Sequence, residues 1–195
     1  MEEIVKQKGM LRRFLQTDVQ RGTKDARTTL TFAASSEEPV ERWYGMEVLS
    51  HEKSAVRMTR AKAGAMPLLF NHNTDDPVGM ITGARLEDSR MVVDAELFET
   101  ARAKEVMLMV DGGLRNVSLA YRVNVVEEDK KKESYRVTDW EPYEVSIVTV
   151  PADHTVGIGR NEIEYEVRMV RASQPAPAIG AIPSGGSMSE VTPTP

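Results

Sequence analysis

The sequence predicts a mainly β protein of the α+β class, built on an antiparallel β-barrel that is closed or nearly closed. Three observations support this prediction. About seven segments alternate apolar and polar side chains with the period of two that is typical of half-buried strands. Short polar stretches that suit hairpin turns join several of these segments. Clear helical periodicity is confined to one segment, so we expect helices to flank the barrel rather than to build it.

The composition indicates one domain and excludes several functions. The chain has 195 residues, of which 41% are hydrophobic, enough for a core. Its net charge of −5 argues against binding to nucleic acid. The absence of cysteine excludes disulfides, thiolate nucleophiles and cysteine-bound zinc. No apolar run reaches the roughly 18 residues of a membrane helix, and the charged N-terminus lacks a signal peptide's apolar region. We therefore expect an intracellular protein that binds neither nucleic acid nor membranes.

The two ends of the chain differ from its middle. Residues 1–24 are charged and weakly patterned, which predicts a weakly ordered lead-in. Residues 172–195 contain five prolines and few large apolar side chains. Such a segment buries too little surface to offset its ordering entropy, so a disordered tail or linker is expected there. The folded domain is then residues 25–171.

The first half of this domain predicts five strands, which span residues 27–35, 40–49, 66–70, 78–86 and 91–98. The last two are joined by Glu87-Asp88-Ser89-Arg90, a polar turn that indicates a hairpin. Between the second and third strands, residues 50–64 predict a short helix that begins at Ser50 and ends at Gly64.

The second half begins with the clearest helix, residues 100–113. Its apolar stripe consists of Ala103, Val106, Met107 and Val110, and two glycines end it. Strands are predicted at 114–126, 134–140 and 143–150. In the first of these, Val117, Leu119, Tyr121, Val123 and Val125 form the core face. Asn116, Ser118, Ala120, Arg122 and Asn124 form the other face, which we expect to be exposed.

Three polar residues in these segments are candidates for chemistry, and each also has a structural interpretation. His72 follows an apolar strand in LLFNHNTDDPVG, where it either forms a local hydrogen bond or is a metal ligand. Ser118 is outside any GxSxG motif, which excludes an α/β-hydrolase; its small neighbours would let an extended chain approach its hydroxyl. Glu144 is either a solvated edge charge or the acid that orients an imidazole. No HxH or HExxH spacing supports a metal site.

Taken in order, the segments resemble the capsid maturation (prohead) proteases of tailed bacteriophages, which are related in fold to the herpesvirus assemblin serine proteases. The resemblance covers residues 27–160 and is carried by LLFNHNTDDPVG, DGGLRNVSLAYRV and WEPYEVSIVTVPAD. One departure is visible, because relatives often have glycine two residues after the serine, where this chain has Ala120.

The resemblance implies a serine endopeptidase with a Ser-His-acid triad on the outer face of the barrel. The histidine corresponds to His72 and the nucleophile to Ser118. The acid corresponds to Glu144, with Asp153 as the alternate. The oxyanion donor is not identified by the sequence and stays open between backbone N–H groups and Arg122. No cofactor and no metal is implied.

The implied function is cleavage of capsid scaffolding segments, and of the protease itself, inside the procapsid in the host cytoplasm. The expected partners are the scaffolding segment of the major capsid protein or a separate scaffold protein, with a homodimer or higher oligomer possible by analogy. The tail would join a scaffold segment and be self-cleaved, or be an ordinary frayed end. Two alternatives remain open: a catalytically inactive protein of the same fold that assists capsid assembly or binds scaffold, and a general cytoplasmic serine hydrolase.

Overall fold

The protein is described here from a computed structural model that covers residues 2–24, 27–149 and 164–171. These residues form twelve strands and two helices. The strands are β1 (Glu2–Lys8), β2 (Leu11–Gln16), β3 (Gln20–Lys24), β4 (Arg27–Ser36), β5 (Val40–Arg42), β6 (Gly45–Leu49), β7 (Pro67–Phe70), β8 (Asn73–Glu87), β9 (Arg90–Leu97), β10 (Asn116–Asp129), β11 (Ser134–Ile147) and β12 (Glu164–Val170). The helices are α1 (Thr59–Lys62) and α2 (Ala101–Asp111). Among these residues neither helix is long and apolar enough to cross a membrane.

The strands form one mixed sheet rather than a closed antiparallel barrel. The main path is β1-β12-β10-β11-β7-β8-β9-β4-β3; in addition β2 pairs with β10, and β6 pairs with both β5 and β11. Three pairings are parallel, namely β10 with β12 and β11 with both β6 and β7. The mainly β prediction is confirmed, but the predicted closure is wrong and the antiparallel prediction is only partly right. Strands distant in the sequence become neighbours through long connections that a hairpin pattern does not reveal.

The N-terminal segment, for which the sequence predicts a weakly ordered lead-in, contributes three strands to this sheet. β1 pairs with β12, β2 with β10 and β3 with β4. Arg13, in β2, is only 2% exposed. An arginine in a sequence is normally taken to be exposed. Because Arg13 is buried, the alternation of buried and exposed residues in β2 was not recognised from the sequence. The predicted tail, residues 172–195, lies outside the described residues.

A buried polar cluster on the core side of the sheet holds β2 in place. Nη2 of Arg13 donates to Oε1 of Glu47 at 3.0 Å, and the Tyr121 hydroxyl donates to the same oxygen at 2.5 Å. Arg42 donates to the Tyr121 hydroxyl at 2.7 Å. Burial alone would raise the pKa of Glu47, but the charges of Arg42 and Arg13 lower it overall. The cluster fixes β2 against β10, the strand that carries Ser118.

The helix predicted at 100–113 is confirmed as α2. All four residues of its apolar stripe are buried. Thr100 caps the helix, since its hydroxyl accepts a hydrogen bond from the Ala103 N–H at 3.1 Å. Gly113 follows the helix with a φ of 110°, a conformation that favours glycine. The helix predicted at 50–64 is reduced to the single turn α1.

The two strands predicted at 134–140 and 143–150 are one continuous strand, β11. The register with β10 shifts where Ala120 pairs with Glu144 and Tyr121 pairs with Pro142, which leaves Tyr143 as an extra residue. The extra residue forms a β-bulge, so the strand continues through the position where the sequence predicted a break. Beyond it, Glu144 and Ser146 share the face of the sheet that carries Ser118.

Candidate active site

His72 lies in a two-residue turn that joins β7 to β8. Phe70 pairs with Asn73, and the two residues between them, Asn71 and His72, have φ values of 52° and 58°. Positive φ at both central residues defines a type I′ hairpin turn, in which asparagine is favoured. Positive φ is uncommon for residues other than glycine, and the hydrogen bonds of the turn help to hold His72 in this conformation.

The end of β11 holds both residues of the turn. The N–H of Asn71 donates to the carbonyl of Ile147 at 2.9 Å, and Oδ1 of Asn71 accepts from the N–H of Thr149 at 2.9 Å. The N–H of His72 donates to Oγ of Ser146 at 3.1 Å. The Asn-His pair is therefore fixed to the strand that supplies the carboxylate.

That carboxylate belongs to Glu144 and binds the imidazole directly. Oε1 of Glu144 lies 2.5 Å from Nδ1 of His72, and Oε2 accepts a hydrogen bond from Oγ of Ser146 at 2.8 Å. Glu144 and His72 are 5% and 8% exposed. Because an ionised carboxylate only accepts hydrogen bonds, Nδ1 is the donor, and in the neutral ring Nε2 is then the nitrogen that can accept a proton.

Ser118 lies in the sheet beside this pair. Its neighbours across the strands are Ser146 on β11 and Phe14 on β2. Facing residues on adjacent strands have Cβ atoms about 5 Å apart on one face of the sheet. The His72 ring meets the edge of Phe14 with 6.3 Å between ring centroids, and its main chain meets Ser146. His72 therefore contacts both neighbours of Ser118.

The prediction that Ser118 lies on an exposed face is wrong. Ser118 is 0% and Ala120 is 3% exposed. The reason is β2, which was not predicted from the sequence and which lies along β10 with Phe14 beside Ser118. Within the described part of the chain, the Ser118 hydroxyl forms no hydrogen bond.

The other predicted site residues are not brought into this group. Asp153 lies outside the described residues. Arg122 is exposed and follows Ser118 by four positions on β10, about 13 Å at the usual rise of a strand. Ser146 and Phe14 were not predicted as site residues. Ser146 could have been found, since it alternates with Glu144 on one strand face, whereas Phe14 depends on a strand that the sequence conceals.

A second histidine, His51, also contacts a serine. Nε2 of His51 lies 2.7 Å from Oγ of Ser35, and its Nδ1 lies 2.8 Å from the carbonyl oxygen of Leu49. Burial lowers the pKa of His51 to about 4. Its nearest carboxylate, Glu37, accepts a hydrogen bond from the His51 main-chain N–H at 2.8 Å. This imidazole is a neutral, fully bonded part of the core.

No three His, Asp or Glu side chains in the described ranges come together in a way that would hold a metal ion.

The chain belongs to the family of Caudovirus prohead serine proteases, whose pattern it matches over residues 31–167. It is 43% identical over 137 residues to the major capsid protein of Halomonas phage phiHAP-1, a match that covers 66% of this chain and 23% of that protein. It is 27% identical over 131 residues to the capsid polyprotein of Pseudomonas phage PAJU2, covering 63% of this chain and 20% of that one. The chain thus spans less than a quarter of either capsid protein.

Two further likenesses are to phage proteases. The prohead protease of Escherichia phage T5 is 25% identical over 119 residues, covering 60% of this chain and 57% of that protein. The capsid assembly protease of bacteriophage T4 has a related fold, with a TM-score of 0.51 at 9% identity over 76% of this chain and 99% of the T4 chain.

Proposed function

We propose that this chain is a serine endopeptidase that cleaves capsid scaffolding segments, and itself, during maturation of a phage procapsid. The proposed triad is Ser118, His72 and Glu144. The observation that carries this proposal is the hydrogen bond from His72 Nδ1 to Glu144, formed by an imidazole that contacts both cross-strand neighbours of Ser118.

The reaction proposed for these residues has two stages. Nε2 of His72 takes the proton of the Ser118 hydroxyl as Oγ attacks the scissile carbonyl. Glu144 holds the imidazole in the required tautomer and stabilises the imidazolium. The imidazolium then gives the proton to the leaving amine, and water, activated in turn by His72, hydrolyses the acyl-enzyme.

Glu144 is preferred over Asp153 as the acid because its carboxylate is already bound to Nδ1 and is itself oriented by Ser146. For the developing oxyanion we propose a backbone N–H group as the donor, and Arg122, about 13 Å further along β10, as the less favoured alternative. Replacement of Arg122 by alanine tests the second possibility, since removal of an oxyanion donor lowers kcat by roughly 100-fold or more.

The proposed substrates and partners follow from the capsid relatives. Two of the relatives are named as a major capsid protein and a capsid polyprotein, and both are several times longer than the matched segment. This supports a substrate within, or assembled with, a capsid precursor, which is either its scaffolding segment or a separate scaffold. It also supports action inside the procapsid. A homodimer or higher oligomer is proposed by analogy with the herpesvirus assemblin proteases.

The test is to incubate the protein with the matched capsid precursor, the one from the same phage. The wild-type chain should cleave the precursor and trim itself, as followed by gel electrophoresis and mass spectrometry. Ser118→Ala should abolish both reactions while circular dichroism shows an unchanged fold. Retained cleavage would refute the nucleophile. Binding of the precursor without cleavage by the wild type would favour the inactive assembly protein, and turnover of generic esters without cleavage of the precursor would favour a general hydrolase.

A further inference from the structure

Ser146 closes a ring of hydrogen bonds around the proposed base. The His72 main-chain N–H donates to Oγ of Ser146, and the Ser146 hydroxyl donates to Oε2 of Glu144. The other oxygen of Glu144 binds Nδ1 of the same histidine. One carboxylate therefore restrains His72 at two places, directly at the ring and through Ser146 at the main chain.

Both restraints matter because the backbone of His72 has an uncommon conformation. A histidine at a φ of 58° is in a sparsely populated conformation, so the orientation of its ring depends on what holds its main chain. A carboxylate side chain has free rotations of its own, and the hydrogen bond from Ser146 removes them. Ser146 is 0% exposed, so water does not take the place of its hydroxyl in binding Glu144 and the main chain of His72.

We propose that Ser146 is a positioning residue that fixes His72 and Glu144 in their reactive orientation. This inference rests on the proposed function and extends it to a residue beyond the triad. The same contacts argue that Ser146 is not the nucleophile, although it faces Ser118 across the strands. Its hydroxyl is engaged by the main chain and by the carboxylate, on the Nδ1 side of the ring, whereas a base acts through Nε2.

The test uses Ser146→Thr and Ser146→Val as a matched pair. Both carry an added methyl group in the same buried place and have nearly the same shape, so the main difference is that threonine keeps the hydroxyl and valine replaces it with a second methyl group. The rate of reaction with a fluorophosphonate probe, in which a serine Oγ displaces fluoride from phosphorus, measures activation of Ser118 without knowledge of the natural substrate. Ser35→Ala serves as the control for loss of a buried serine hydroxyl that contacts a different histidine.

We expect Ser146→Val to react roughly 10- to 100-fold more slowly than Ser146→Thr, the range for loss of a hydrogen bond to a charged group. In proton NMR of histidine-labelled protein, the Nδ1–H resonance of His72 should persist in the threonine variant and shift or broaden in the valine variant. Ser35→Ala should change neither the rate nor this resonance.

Equal rates and equal resonances for the threonine and valine variants would overturn the positioning role. Failure of the proposed function gives a different result, namely a wild-type protein that the probe does not label at Ser118 and that also leaves the capsid precursor uncleaved. If the wild type is labelled at Ser118 but the threonine and valine variants behave alike, the proposed triad is retained and only the positioning role of Ser146 is rejected.

Discussion

Two buried histidines, His51 and His72, each lie near a serine and a glutamate, yet the bonds within the two groups are arranged in opposite ways. At His51 the serine is bound to the ring, and the carboxylate of Glu37 is bound to the main chain. At His72 the carboxylate of Glu144 is bound to the ring, and the hydroxyl of Ser146 is bound to the main chain. The hydroxyl of the other nearby serine, Ser118, has no hydrogen bond within the described residues.

The difference shows what separates a structural histidine from a candidate base. The hydrogen-bond partner of Nδ1 in His51 is a neutral carbonyl, and the carboxylate of Glu37 lies further away, at 3.9 Å. This arrangement stabilises a positive ring less than a directly bound carboxylate does, and burial keeps the pKa of His51 at about 4. In His72 the partner is a carboxylate, which stabilises the imidazolium that forms when the ring accepts a proton. A short serine–histidine distance by itself is therefore a poor sign of catalysis in this chain.

The largest expected difference between the two groups is the loss of the imidazole itself. His72→Ala should lower the rate of reaction with a fluorophosphonate by about 1,000-fold or more, because the base is removed. His51→Asn should change it by less than about threefold when measured well below the unfolding temperature. Comparable losses in both variants would remove the distinction between the two histidines.

The carboxylates should differ next. Glu144→Gln should slow the same reaction by roughly 100- to 1,000-fold, because the amide can favour the wrong tautomer and stabilises the imidazolium poorly. Glu37→Gln should leave the rate unchanged within about threefold. An unaffected rate in Glu144→Gln would mean that another residue is the acid of the triad, and Asp153 would be tested first.

The pH dependence of stability should come from His51 in a defined window. Its folded pKa of about 4 lies below the ordinary value of 6.5, so between these values the unfolded chain binds a proton that the folded chain does not. The free energy of unfolding should therefore fall as the pH is lowered from 6.5 towards 4, by up to about 3 kcal/mol. Urea titrations of wild type and His51→Asn check this, since the variant should lose most of the slope above pH 4.5. A slope that survives unchanged in His51→Asn would assign it to other groups.

The smallest expected effect concerns the two serines. Ser118→Ala removes a buried hydroxyl that lacks a hydrogen bond among the described residues, and should raise the free energy of unfolding by about 1 kcal/mol. Ser35→Ala removes a hydrogen-bonded hydroxyl and should lower it by about 1–2 kcal/mol. Urea titrations at pH 7 measure both. The comparison fails if Ser118→Ala is the more destabilising of the two.

Local patterns in the sequence were enough to predict much of this structure. The apolar stripe of α2 and the hairpin of β8 and β9 both follow from residues close together in the chain. The contact between His72 and Glu144 was expected from the family resemblance, because 72 residues separate the two and no local pattern joins them.

The features that were not predicted depend on contacts between residues far apart in the sequence. Arg13 is buried because Glu47, 34 residues away, neutralises it, and without that partner β2 reads as a polar segment. Since β2 was missed, Phe14 was missed as well, and Ser118 was expected on an open surface. The same limitation applies to the parallel pairings of β6 and β7 with β11, which join strands far apart in the sequence.

The central claim is that the reactive serine is the one beside the His72–Glu144 pair. Mass-spectrometric mapping of the fluorophosphonate adduct tests it most directly. The adduct should be found on Ser118 in the wild-type protein and be lost in His72→Ala. An adduct on Ser35 or Ser146, or undiminished labelling of Ser118 in His72→Ala, would contradict it.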